Sequence, residues 1–426
     1  MIDLAAARKR PVLLIDPWGE KPMRVLDVGA GQHAGTNPPS PDSTRRALER
    51  VLLQIVDRLV RPPGDPAEAA ELTRFLSEKW RARNWRVEFP LLMALTGVRR
   101  LRISDFAAVD LEQTAAMMLG SGHQKATIER PSIVALAHSF AWADGLAQRY
   151  AQMFRGAFVA NFVLAALAIV TAAASIVGTS VAGWPKWPFV LAEIVFILAI
   201  VANTKSGQRA GWRDKWLETR HAAEGLRTDF MLWLVGLPSR STAIDKTSWT
   251  DWHVRANART LGLRGGSMDA AGVAGAASAI AAVVQDQAAY HAATERRMHL
   301  LDHRLEKVGA AFFFGTLIVA LAYIVGVVAS LKAPHWWPYA VTALTIGLPA
   351  VGAAAFGIRM TGDFADSARR SHAAERALAD VAASLSAASV SLKDVQAATL
   401  AAASAMLGDV ERWRTAAKAR ELELPG

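Results

Sequence analysis

What most limits the folds open to this chain is a pair of apolar runs that occurs twice. The first pair reads GAFVANFVLAALAIVTAAASIVG from Gly156, turns through WPKWPF, returns as VLAEIVFILAIVAN and leaves into SGQRAGWRDKWLETRHAAEGLR. The second starts at Gly309 with GAAFFFGTLIVALAYIVGVVAS, turns through HWWPY, returns as AVTALTIGLPAVGAAAFGI and leaves into RMTGDFADSARRSHAAERAL. Trp187-Pro188-Phe189 corresponds to Trp337-Pro338-Tyr339, and His221-Ala222-Ala223-Glu224 to His372-Ala373-Ala374-Glu375. A repeat of this length is a duplicated domain, not a solenoid. Each run is about twenty residues, enough for a helix to cross a hydrocarbon core of roughly 30 Å. The turns are too short for anything but antiparallel helices.

The predicted fold is therefore an all-α membrane protein. It has four transmembrane helices in two duplicated hairpins, long cytoplasmic helical stalks, and a small α/β or mostly helical N-terminal region. Its predicted parts are a cytoplasmic region 1–130, a first hairpin with stalk 131–236 (spans 156–178 and 187–204), and a linker with a short helix 237–268. A second hairpin with stalks follows at 269–388 (spans 309–331 and 337–358), then a C-terminal cytoplasmic helix at 389–426.

Charge placement gives the orientation. The net charge of +10 could mark a nucleic-acid binder, but its distribution favours a membrane surface. Arg149 and Arg155 precede span one, and Lys205, Arg209, Arg213 and Lys215 follow span two. Arg296, Arg297, Arg304 and Lys307 precede span three, and Arg359, Arg369 and Arg370 follow span four. The short turns carry only Lys186 and Lys332. The positive-inside rule then places both termini and the 204–308 segment in the cytoplasm. Trp184, Trp187, Trp336 and Trp337 fall at the opposite face, where indole rings favour the headgroup level. The chain has no cysteine, which removes disulfides and thiolate metal sites. Its first residues lack the apolar core and cleavage site of a signal peptide.

Before the first hairpin, RPVLLID and KPMRVLDVG read as two short strands around an Asp16-Pro17-Trp18-Gly19 turn. The VLDVGAG segment is similar to the glycine-rich first motif of Rossmann methyltransferases over Val25 to Gly31 only. It reads either as a cofactor loop or as a glycine loop leaving a small sheet. Asp42-Ser43-Thr44 can cap a helix through RRALERVLLQIVDRLV, and another begins near Asp65-Pro66. Residues 74–106 interleave basic and aromatic side chains. They read as a solvated or interfacial helical face, or as RNA or headgroup contact. Helices are predicted to run from Pro131 into span one, from span two on to Leu237-Pro238, and from Asp269 into span three. A last one restarts at Ser391 with Asp394 as capping partner.

Polar residues inside the spans are the first functional candidates. Glu193 lies six residues past Trp187, roughly 9 Å below the outer boundary and level with Thr171 to Ser175. It is either a protonated acid bonded to one of those hydroxyls or part of a carboxylate ring around an oligomeric cation path. Asn161 and Asn203 are level with one another and read as helix glue. On the stalks, His221 with Glu224 and His372 with Glu375 each share a helical face. That spacing allows a metal, but local hydrogen bonding accounts for it better, so neither a metal nor another cofactor is expected. No nucleophile–base pair, phosphate loop or paired catalytic carboxylate stands out, and the chain is not read as an enzyme.

The two-span hairpin, the stalk with Trp212, Trp216, Arg220, Glu224, Leu226 and Arg227, and the Gln287, Tyr290, His291 run before the second hairpin together resemble the SLATT family, the SMODS- and SLOG-associating two-transmembrane proteins. The resemblance covers roughly 145–390. It implies an effector of the bacterial inner membrane, a pore among the forms it can take, coupled to a nucleotide sensor in bacterial conflict systems. The implied partners are the lipid bilayer, further copies of the chain, and a cytoplasmic nucleotide-sensing domain or protein, with no nucleic acid. Residues 1–40 are too short for the Rossmann-like sensor that often accompanies the family. The competing expectation is a structural or sensory membrane protein whose cytoplasmic helices bind a partner.

Overall fold

A computed structural model describes residues 12–14, 24–26, 49, 53, 56–57, 60–81, 83–119, 130–239, 248–262, 268–386 and 391–418. Its contacts divide into two units, residues 1–74 with 243–252 and residues 75–242 with 253–426.

In the first unit, β1 (Val12–Leu14) pairs antiparallel with β2 (Arg24–Leu26), Val12 opposite Leu26. These lie in RPVLLID and KPMRVLDVG, the two short strands expected on either side of Asp16-Pro17-Trp18-Gly19. An antiparallel pair differs from the parallel βαβ opening that a Rossmann cofactor loop requires. Gly29 and Gly31, which would carry that loop, lie outside the described residues, as does the Asp42-Ser43-Thr44 cap. Glu49, Leu53, Val56, Asp57 and Val60 are helical. Helix α1 (Pro66–Ser77) starts as predicted, with the Ala67 N–H donating to Asp65 Oδ1 at 3.0 Å.

The second unit contains α2 (Glu88–Leu95), α3 (Leu111–Leu119), α4 (Pro131–Ser180), α5 (Trp187–Ala210) and α6 (Trp212–Leu234). After α7 (Trp249–Leu261) come α8 (Ala270–Val328), α9 (Trp337–Gly362), α10 (Phe364–Leu385) and α11 (Leu392–Lys418). Four stretches, Pro131–Ser180, Trp187–Leu234, Ala270–Val328 and Trp337–Leu385, are helical, long and apolar enough to cross a membrane. Helices α4 and α8, of 50 and 59 residues, run without interruption from stalk into apolar run. The Asp269 carboxylate caps α8, accepting from the Gly272 N–H at 2.7 Å. Helix α11 opens on the predicted box, Ser391 Oγ donating to Asp394 Oδ2 at 2.6 Å.

One expectation is corrected. The second run of the first copy does not continue as a single helix to Leu237-Pro238. It stops at Gly211, which takes the left-handed conformation (φ 60°, ψ 39°) before α6 begins. The second copy breaks at the same place: Asp363 is left-handed (φ 51°, ψ 41°) between α9 and α10. Glycine adopts this conformation at no steric cost, and aspartate is among the few other residues that tolerate it.

Helix α4 packs against both α5 and α9, and α9 also packs against α8. The apolar runs therefore follow one another in the order two, one, four, three, with only slight contact between the two ends. Runs four and three approach closely at small residues. A Cβ built on Gly352 would lie 3.3 Å from the Gly309 carbonyl oxygen, the geometry that small residues permit between membrane helices. Beyond Leu305, α8 has no buried residue.

Two apolar clusters fix the stalks. One joins Met231 and Val235 of α6, Ile280 and Val284 of α8, Leu378 of α10, and Val395 and Ala402 of α11. Alanines 276, 277, 382, 398 and 402 lie within it, letting the helices approach closely. The second sits where stalks meet spans and gathers Phe89 and Met93 of α2, Ala157 and Phe158 of α4, Leu301 and Leu305 of α8, Ile358 of α9 and Phe364 of α10. Helix α2 is thus not wholly a solvated face. It inserts Phe89, stacked on Phe364 at 6.1 Å, while its Leu95 is exposed, as are Trp85 before it and Ile103 after it.

Candidate functional site

Asp144 is the single carboxylate in the stretch FAWADGLAQRY of α4, and it is buried. An ionised carboxylate removed from water requires a partner. Arg220 of α6 supplies one, its Nη1 donating to Asp144 Oδ1 at 2.9 Å, while Gln148 Nε2 donates to Oδ2 at 2.8 Å. Arg220, Glu224 and Arg227 recur at helical spacing and so share a face of α6. Arg220 Nη2 lies 2.5 Å from Glu224 Oε1. Arg227 Nη1 donates to both Glu224 oxygens at 2.8 Å and to Gln287 Oε1 of α8 at 3.0 Å. Burial alone would raise the Glu224 pKa, but Arg220, Arg227 and His291 outweigh it and hold the carboxyl below its ordinary value. This network ties α4 and α6 of the first copy to α8 of the second.

Beside it opens a chamber of about 850 Å³ bounded by α2, α4, α6, α8, α10 and the loop after α2. Among the described residues, eleven arginines and four carboxylates line it. Each carboxylate already has an arginine: Asp105 has Arg99 at 2.5 Å, Asp144 has Arg220, Glu224 has Arg220 and Arg227, and Asp363 has Arg370 at 3.4 Å. The lining is therefore strongly positive.

Arg155 is half-buried, unlike the exposed Arg81, Arg83, Arg102 and Arg297 of the same lining. It lies over the Trp216 ring at 4.9 Å and the Phe89 ring at 5.3 Å. Within the described residues it makes neither a hydrogen bond nor an ion pair. Burial lowers its pKa, Tyr290 opposes this and the neighbouring Arg220 cation adds to it, yet a guanidinium stays charged in proteins. Arg213, also in the lining, has Nη1 buried with no hydrogen-bond partner within the described residues.

The structure places the sequence-derived candidates unevenly. Asn203 Nδ2 donates to Asn161 Oδ1 at 2.7 Å and to the Ala157 carbonyl at 3.0 Å, and Asn161 Nδ2 donates to Thr204 Oγ1 at 2.9 Å. Glu193 is half-buried on α5 and, among the described residues, bonds to none. Ser175, expected to be available to it, donates its hydroxyl to the Ala172 carbonyl instead. His221 and Glu224 are buried, whereas His372 is exposed and Glu375 half-buried. The two HAAE copies thus occupy unlike surroundings, and no three His, Asp or Glu side chains gather as a metal-ligand set among the described residues. Trp184, Trp187 and Trp336 are exposed and Trp337 half-buried at the hairpin turns.

Sequence reasoning passed over Asp144, Phe89 and the special position of Arg155. The signal for Asp144 was a lone acid inside an apolar helix. Phe89 gave none, because its contact with Arg155 is tertiary.

Residues 138–237 match one family profile, described as a protein of unknown function (DUF4231). The match covers the first hairpin and its stalk, including Asp144, Arg155, Arg220, Glu224 and Arg227. Comparison with curated proteins and with solved structures gives no match.

Proposed function

We propose that the chain is a four-span effector of the bacterial inner membrane, acting in a nucleotide-signalled conflict or stress system. Both termini face the cytoplasm, and the protein oligomerises and perturbs the membrane when its stalks receive a cue. The observation that carries this reading is the chamber itself. It lies where the stalks of both hairpins converge, and its walls are continuous with the spans: α4 and α8 pass from chamber to apolar run without a break. A change in the chamber is therefore transmitted along rigid helices. The resemblance to SLATT proteins supports the same reading, since Trp216, Arg220, Glu224, Arg227, Gln287, Tyr290 and His291 all line the chamber.

The order of the runs supports an oligomer. Run one of the first copy packs on run four of the second. The equivalent contact, run three on run two, is at most slight within one chain among the described residues. Filling it with the next molecule makes a head-to-tail interface, which closes into a ring if the rotation permits. Glu193 then lies on the joining helix.

Purified protein in dye-loaded vesicles tests the reading. Leakage is expected on oligomerisation or on addition of a cytoplasmic nucleotide, and Glu193→Ala should abolish it. Absence of leakage in every oligomeric state and with every nucleotide would sink the effector. What remains is a membrane-anchored structural or sensory protein whose cytoplasmic helices bind a partner.

A further inference from the structure

We infer that the chamber is a binding site for a phosphate-bearing anion, received by the guanidinium edges of Arg155 and Arg213. The inference deepens the proposed role of the chamber as a receiving site but does not depend on membrane leakage.

Charge comes first. Four carboxylates cannot neutralise eleven arginines; all four are already engaged within the lining, and Asp214 from outside it pairs only with Nη2 of Arg213, at 3.4 Å. Such an excess of cations around a partly open chamber is stable only if water or an anion compensates it. Geometry comes second. All five guanidinium donors lie in the plane of the group. Arg155 sits over the Trp216 and Phe89 rings, contacts with ring faces that use up none of its five N–H donors, and no protein acceptor takes them among the described residues. A planar fork of donors matches the paired oxygens of carboxylate or phosphate, and stacking holds it in place before the ligand arrives. Arg213 adds a second donor, Nη1, that is buried and unsatisfied within the described residues.

The number of cations selects a multiply charged oxyanion over a single carboxylate. A volume of about 850 Å³ exceeds what an inorganic ion fills and suits an organic phosphate. Two sources share this chemistry. Arg155 immediately precedes span one and Arg213 follows the break after span two, so a lipid headgroup at the inner leaflet is within reach. A soluble phosphate ester can enter from the cytoplasm.

The test uses the full chain, with Arg155→Gln, Arg155→Lys and Arg213→Gln. In neutral detergent, inorganic pyrophosphate is titrated by calorimetry. In parallel, unfolding temperatures are compared in phosphatidylcholine nanodiscs with and without phosphatidylglycerol. Saturable pyrophosphate binding that Arg155→Gln weakens roughly tenfold or more, with Arg155→Lys in between, supports a soluble phosphate. No pyrophosphate binding, but a phosphatidylglycerol-dependent stabilisation that Arg155→Gln removes, supports a headgroup. No response in either arm, or equal responses in the parent and both glutamine variants, overturns the site. If Arg155→Gln fails to fold, Arg213→Gln makes the same comparison. Binding without dye leakage keeps this site and removes the effector, whereas leakage with no response in either arm does the reverse.

Discussion

Glu224 carries one negative charge between two arginines in the interior of the stalks. Its carboxyl is held below the ordinary value by Arg220, Arg227 and His291 against the cost of burial. A group whose folded pKa is depressed contributes stability above its unfolded value and loses it as pH falls through the folded one. The Glu224 contribution is thus complete at neutral pH and disappears only in acid. Glu224→Gln keeps the shape and removes the charge, leaving two guanidinium groups facing each other. We expect a loss of about 3–5 kcal/mol, read as a drop in unfolding temperature in detergent. His253 follows the same sign for a different reason. It is buried on α7 against the Phe75 ring at 5.0 Å, and burial pushes its pKa down to about 4. The neutral imidazole is the folded form, so stability is full above the unfolded value near 6.5 and falls as pH drops from there towards 4. The expected loss is about 3 kcal/mol over that window, and His253→Phe should flatten the pH dependence of unfolding across it. At this scale the sequence showed which residue types recur at helical spacing. It did not show that the first HAAE is buried and the second exposed, because burial depends on which helices lie against each face.

The polar pair Asn161 and Asn203 is a property of two elements, α4 and α5, and was legible because antiparallel helices bring residues at equal depth together. Each amide is bonded across the hairpin, and the Asn203 oxygen accepts from Arg86. Replacing Asn161 by Leu removes its bonds to Asn203 and Thr204, leaving the one from Asn203 to the Ala157 carbonyl, and should cost about 1 kcal/mol, measured as easier unfolding of the reconstituted protein in denaturing detergent. The left-handed breaks were less legible. Gly211 carried the usual signal, a glycine after a basic last turn, but was masked by helical patterning on both sides. At the other break Gly362 precedes the position that actually reverses handedness, Asp363. Backbone conformation there is set by the packing of Phe364 and Ala368 into the cluster beneath the spans, which no local rule captures.

For the whole molecule, the long apolar runs, their pairing and their turns could be read directly, since hydropathy and helix length leave few alternatives. The order of the runs and the chamber could not. Both depend on contacts between segments far apart in the chain, as when α2 reaches Arg155 and Phe364. Orientation is open to a simple check because the chain has no cysteine. Single replacements Lys186→Cys and Lys332→Cys should react with an impermeant maleimide in intact cells stripped of their outer membrane. Lys215→Cys should react only after the inner membrane is opened. The reverse pattern would invert the topology.

The bare third run has a consequence for how the protein is made. Beyond Leu305 no residue of α8 is fully buried within its own chain, so on the four-span reading this segment would leave the translocon chiefly on hydropathy. It is suited to do so, holding the highest mean hydropathy of the four, 2.5. The first hairpin carries two asparagines and a glutamate, and its helices satisfy their amides on each other. It should therefore be released as a pair, and damage to one asparagine should appear first as failed insertion of its neighbour.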